Sequence, residues 1–258
     1  MTVNRGRMAP YREDLLRKTA DPPTIRILDL WRSVSTEAIG RPLEVVVENR
    51  RKNPQSALFD GEVNYARPAG YQGQVVLSVW LDSFPDYSPL ILTHEVGHWI
   101  LTFRGFRGFV RQPRKPVAEG LLNDVVSHPP LYALQESIGH NPKQEIDSRC
   151  DHDIRLCSQP RKEDPLLSAL LIADDLLNCS WKKSQELEWA VRKYRPDTMK
   201  IVTRIINIVA DFDLSDPLTN LACLKKLLKK LRMPGRWIEK DDVRTTRELI
   251  LEVEARAS

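Results

Sequence analysis

Cysteine is scarce in this chain of 258 residues. The four present (Cys150, Cys157, Cys179 and Cys223) are too few for a disulfide scaffold. The first residues, MTVNRGRMAPYRED, contain no apolar stretch of the kind a secretory signal needs, and no run approaches the length of a membrane span. Net charge is small as well: 39 Lys and Arg stand against 35 Asp and Glu, so the balance of +4 does not by itself call for nucleic acid or an anionic surface. Internal repeats and low-complexity tracts are missing. These absences set the expectation of a soluble, cytoplasmic protein with no membrane partner and no supported nucleic-acid partner, its oligomeric state left open. What is abundant is ordinary: 41% hydrophobic and 29% charged residues fit a chain that folds.

The chain reads in two styles. In the first part, apolar residues at Ile25, Leu28, Trp31, Val34 and Ala38 before Gly40 predict an amphipathic helix, and LEVVVENR (43–50) predicts a strand. SALFDGEVNYARPAGYQGQVVLSVWLD (56–82) reads as a strand, a Gly/Pro-rich connection and a second strand over Val75 to Leu81. A basic connection follows over 106–116, and then a helix through Val117, Leu121 and Val125 that Pro129-Pro130 should halt. The remainder is mostly helical, with segments opened by Asp-Pro or other polar caps. The expected fold class is α+β, divided into a domain over 1–160 and a helical C-terminal extension over 161–258.

One stretch carries chemistry. LILTHEVGHWIL (90–101) follows Ser88 at an N-cap and Pro89 at the first helical position, which places His94, Glu95 and His98 well inside a helix. Residues i and i+4 share a helix face, so both imidazoles can reach one ion, and Glu95 stands beside that ion where it can take a proton from a water. The competing interpretation is a core helix with satisfied histidines. It must explain two His and a Glu among apolar neighbours, where buried charge is costly unless paired.

A catalytic zinc site needs a third protein ligand. The following helix offers Glu119, 21 residues after His98, with Asn123 on the same face. An exposed first-turn glutamate favoured by the helix dipole explains Glu119 equally well. Asp124 and His128 are rivals, and His140, Glu145, Asp147 and His152 lie further on. His128 and Tyr132, on either side of the Pro-Pro step, are candidate hydrogen-bond donors to a tetrahedral oxyanion, or simply pack the helix end.

These residues, HEVGHWIL followed by Glu119-x-x-x-Asn123, resemble the gluzincin branch of the zincin metallopeptidases, and loosely the ImmA/IrrE type, over about residues 43–130. The resemblance implies a zincin-like core, Zn2+ held by His94, His98 and Glu119, Glu95 as general base, and a protein or peptide substrate. It also implies that the strand Val75 to Leu81 lines the cleft and pairs with extended substrate. A zinc metallopeptidase is therefore the expected activity; the alternative is a zincin-fold regulatory or scaffold protein that binds a partner and cleaves little.

Two further features receive plainer readings. The basic amphipathic segment LACLKKLLKKLR (221–232) is expected to be a bundle helix with a solvated face. CDHDIRLC has no paired knuckle spacing, and the six tryptophans are expected mostly in the core.

Overall fold

A computed structural model describes residues 11–49, 65–81, 88–159 and 164–257. Its elements in chain order are β1 (Tyr11–Arg12), α1 (Glu13–Thr19), α2 (Pro22–Ile39), β2 (Val45–Asn49), β3 (Tyr65–Tyr71), β4 (Gln74–Leu81) and α3 (Pro89–Phe103). They continue as β5 (Phe109–Gln112), α4 (Pro116–Ser137), α5 (Lys143–Cys157), α6 (Pro165–Asn178) and α7 (Trp181–Tyr194). The series ends with α8 (Pro196–Val209), α9 (Pro217–Leu231), β6 (Arg236–Glu239) and α10 (Asp242–Ala257). The class is α+β, with small sheets and a helical majority. Among the described residues, no helix is long and apolar enough to cross a membrane.

The chain divides into two compact units, residues 1–104 with 241–258, and residues 105–240. The boundary expected between 160 and 161 falls inside the second unit. A cut there would separate Arg149 of α5 from Asp175 of α6, a buried carboxylate that it meets at 2.8 Å. The last helix returns to the first unit, where it packs on α2, α3, β3 and β4.

In the first unit a four-stranded sheet has the order β1-β2-β4-β3, with β2 and β4 parallel and the other pairs antiparallel. Every residue of β4 from Val75 to Leu81 is buried, as a central strand covered on both faces requires. The expectation that β4 pairs with substrate is therefore corrected: both of its edges are already used, by β2 and β3. The stretch read as a Gly/Pro-rich connection is strand β3. Pro68 is tolerated because β3 pairs, among the described residues, with β4 alone. Gln72 (φ 49°) and Gly73 (φ 77°) form the tight left-handed turn that joins the two strands. The strand expected within SALFDGEVNY lies largely outside the described residues.

Asp21 caps α2 by accepting from Thr24 N, and Gly40 ends it at φ 82°. The buried Glu13 carboxylate accepts from Val45 N at 3.0 Å and pairs with Arg17 and Arg32, tying α1, α2 and β2 together with its charge compensated.

The second unit is a bundle of α4 to α9 with the antiparallel ribbon β5-β6. Its core runs through Leu122, Val125, Leu170, Val202, Ile205 and Leu224. Helix α4 does not stop at Pro129-Pro130. Each proline lacks the N–H that would bond back to residue i−4, and for Pro130 that residue is Val126, whose carbonyl instead accepts from Asn220 Nδ2 of α9 at 2.7 Å. Helix α9 buries Cys223, Leu224 and Leu227, while Lys225 and Lys226 pair with Glu239 and Asp211, a bundle helix as expected. The tryptophans divide differently from expectation: Trp31 and Trp80 are buried, but Trp181 and Trp189 of α7 are exposed.

Candidate metal centre

Helix α3 is amphipathic in a narrow sense. Leu92, Thr93, Val96, Gly97, Ile100 and Leu101 are buried, and His94, Glu95 and His98 are half-buried. Packing fixes its rotation. Phe103 meets Trp31 of α2 with ring centroids 5.0 Å apart, and Trp99 donates from Nε1 to the Ala66 carbonyl of β3 at 2.8 Å. Held this way, the Nε2 atoms of His94 and His98 lie 3.2 Å apart, with the rings nearly perpendicular. A tetrahedral ion with metal–nitrogen bonds of about 2.0–2.1 Å separates two ligand nitrogens by about 3.3–3.4 Å. The pair therefore already has nearly the spacing of two ligands on one ion.

The remaining expected residues lie in the second unit. Glu119 is buried, and it closes the start of its own helix: Oε1 accepts from Lys115 N at 2.8 Å and Oε2 meets Arg114 at 2.9 Å. Asn123 bridges to β5, accepting from Phe109 N at 2.9 Å and donating to Phe109 O at 3.0 Å. A Cβ at Gly108 would meet Asn123 Oδ1 at 3.0 Å, so a larger residue there would press on this bridge. Of the more distant candidates, Asp147 accepts from Ser180 N at 2.8 Å.

His128 and Tyr132 share one face of α4 because the helix continues through the prolines. His128 Nδ1 is 2.8 Å from Asp174 Oδ2, and Nε2 is 3.6 Å from Asp124 Oδ1. The Tyr132 hydroxyl lies 3.4 Å from His128 Nδ1 and 3.4 Å from Arg149 Nη2. Asp174 in turn accepts at Oδ1 from Asn178 Nδ2 at 2.9 Å. Burial works against the His128 imidazolium, but Asp174 and Asp124 outweigh it and push its pKa to about 9, with Arg149 opposing. Burial, and then the charge of Asp174, raises the Tyr132 hydroxyl. Burial also raises the Asp175 carboxyl, to about 7, with Arg149 pulling down and Asp174 adding to the rise.

Within the first unit, the His94 and His98 imidazoles of α3 form a pair that could hold a metal ion. Imidazole ligands suit zinc, copper, iron or nickel, so the donor chemistry fits a transition metal without naming it. Asp174, Asn178 and Arg149 went unnoticed in the sequence. The readable signal was Asp174-Asp175 in the otherwise apolar helix PLLSALLIADDLLN, where two adjacent carboxylates require partners.

Comparison with protein-family models, with curated proteins and with solved structures finds no match to this chain.

Proposed function

We propose that the chain is a zinc-dependent metallopeptidase, with His94 and His98 as metal ligands and Glu95 as general base. The observation that carries this reading is the 3.2 Å separation of the two Nε2 atoms on α3, with a carboxylate one residue from the first. Glu119 is left out of the ligand set in the proposal, because both of its oxygens already serve the start of α4.

Bound there, the metal would supply Lewis acidity that lowers the pKa of a water and polarises a carbonyl. Glu95 accepts the proton of the attacking water and returns it to the leaving amine. A peptide substrate rests on the resemblance to gluzincins, and so does a zincin-like core with α3 as its active-site helix. Strand β3 supports it: an extended peptide could add to an edge strand by backbone hydrogen bonding, which interior β4 could not offer.

Metal analysis by inductively coupled plasma mass spectrometry, on protein purified without chelator, tests the ligand set. One zinc per chain is expected in wild type and Glu119→Ala, and none in His94→Ala or His98→Ala. Absence of zinc from wild type, also after reconstitution, would overturn the proposal.

A further inference from the structure

We infer that Cys150 of α5 and Cys179, the residue that ends α6, are the two halves of a reversible disulfide, a modification site for a peroxide oxidant. Both belong to the second unit, and the metal proposed above plays no part. The geometry starts from one face of α5, which Asp147, Cys150 and Asp151 share at i, i+3 and i+4. Asp147 accepts from Ser180 N at 2.8 Å and Asp151 from Lys183 Nζ at 2.6 Å, so the residues flanking Cys150 are tied to the start of α7. Cys179 directly precedes Ser180. Its N–H donates to Asp175 O at 2.8 Å, and the Asp175 carboxylate in turn holds Arg149, the neighbour of Cys150, also at 2.8 Å. Clamped from both sides, the two thiols are hydrogen-bonded to each other.

The two thiols are unequal, as a peroxide-driven closure requires. Cys150 is buried, whereas Cys179 is half-buried. Donation from the Cys150 S–H lowers the Cys179 thiol below its ordinary value, with burial opposing, and the same bond, followed by burial, raises Cys150. Cys179 is therefore the thiolate that reacts first. Its sulfur attacks one oxygen of hydrogen peroxide, the O–O bond breaks, and the departing hydroxide takes a proton from solvent to become water, leaving a sulfenic acid. The Cys150 sulfur then attacks the Cys179 sulfur, the S–O bond breaks, and the Cys150 proton leaves with that oxygen as a second water. The thiol pair has given its electron pair to one peroxide, and a dithiol reductant returns it. The other cysteines compete poorly: Cys157 and Cys223 are buried, and burial pushes the Cys223 thiol up to about 12.

The test is hydrogen peroxide treatment of the reduced full chain, followed by blocking of the remaining thiols with N-ethylmaleimide and peptide mapping without reductant. A peptide pair joined through Cys150 and Cys179 is expected, with thiols per unfolded chain falling from four to two and returning to four after dithiothreitol. Cys150→Ser keeps a donor for Cys179 and removes the sulfur that closes the bond. In that variant, peroxide with dimedone is expected to label Cys179 about tenfold faster than Cys157 or Cys223. Should Cys150→Ser fail to fold, the same ranking is read in wild type with limiting iodoacetamide, where Cys179 is expected to react first. The absence of a joined pair, or one joined through Cys157 or Cys223, would overturn the inference. Labelling of Cys179 no faster than of those two residues would overturn it as well.

Discussion

Asn220 Nδ2 donates at 2.7 Å to the carbonyl of Val126, the acceptor that Pro130 leaves without its helical donor. The same amide group reaches Leu214 O at 3.2 Å, so one buried side chain repairs α4 and orders the start of α9. Replacing it with alanine would strand a buried carbonyl. Asn220→Ala is expected to lower the stability of the second unit by about 1–3 kcal/mol, read as an earlier midpoint in urea unfolding. A midpoint unchanged from wild type would mean that another group satisfies Val126.

Glu119 has the same kind of structural occupation. With Lys115 N and Arg114 on its two oxygens, it acts as a reciprocal cap for α4. Glu119→Gln should therefore destabilise the protein by about 1–2 kcal/mol and leave zinc content intact. Loss of the zinc with little change in thermal stability would restore the glutamate to the ligand role that the gluzincin resemblance implied.

The contrast between α3 and α4 shows what could be read in advance. His94 and His98 were legible because their relationship is local: the i, i+4 spacing alone puts both rings on one face. The Pro-Pro step was misread as a stop because its repair comes from Asn220, 94 positions away. Likewise, nothing near His128 announces Asp174, 46 positions on, so the ring could be singled out but its buried partner could not be named. Strand β3 was missed because glycine and proline argue locally for a connection, while only its edge position, a property of the assembled sheet, makes Pro68 tolerable.

Asp175 gives a pH signature. Its carboxyl stands near 7 in the folded protein against an ordinary 3.8, through burial first, with Arg149 opposing and Asp174 reinforcing. Between those two values the native state holds a proton that the unfolded state has released. This contribution to stability is fully present below about pH 4 and is lost as the pH rises to about 7. Asp175→Asn keeps an oxygen for Arg149 and removes the titration. Urea midpoints of the metal-free protein, measured from pH 4 to 8, should fall less steeply in the variant than in wild type. Parallel profiles would show that Arg149 keeps the carboxylate ionised throughout.

Glu95 separates chemistry from mere metal retention. It is half-buried next to His94 and holds a different face of α3 from the two ligands, so its removal should not disturb them. Glu95→Gln is expected to carry wild-type zinc and to lower kcat for peptide hydrolysis by about 10²–10⁴-fold, because a general base contributes on that scale. His98→Ala should lose zinc and turnover together. Chelation of wild type should abolish cleavage, and added zinc should restore it. Equal turnover in wild type and Glu95→Gln would reject the base. A zinc-loaded wild type that cleaves no member of a broad peptide library would favour the scaffold alternative, in which the same histidines hold a metal for shape alone.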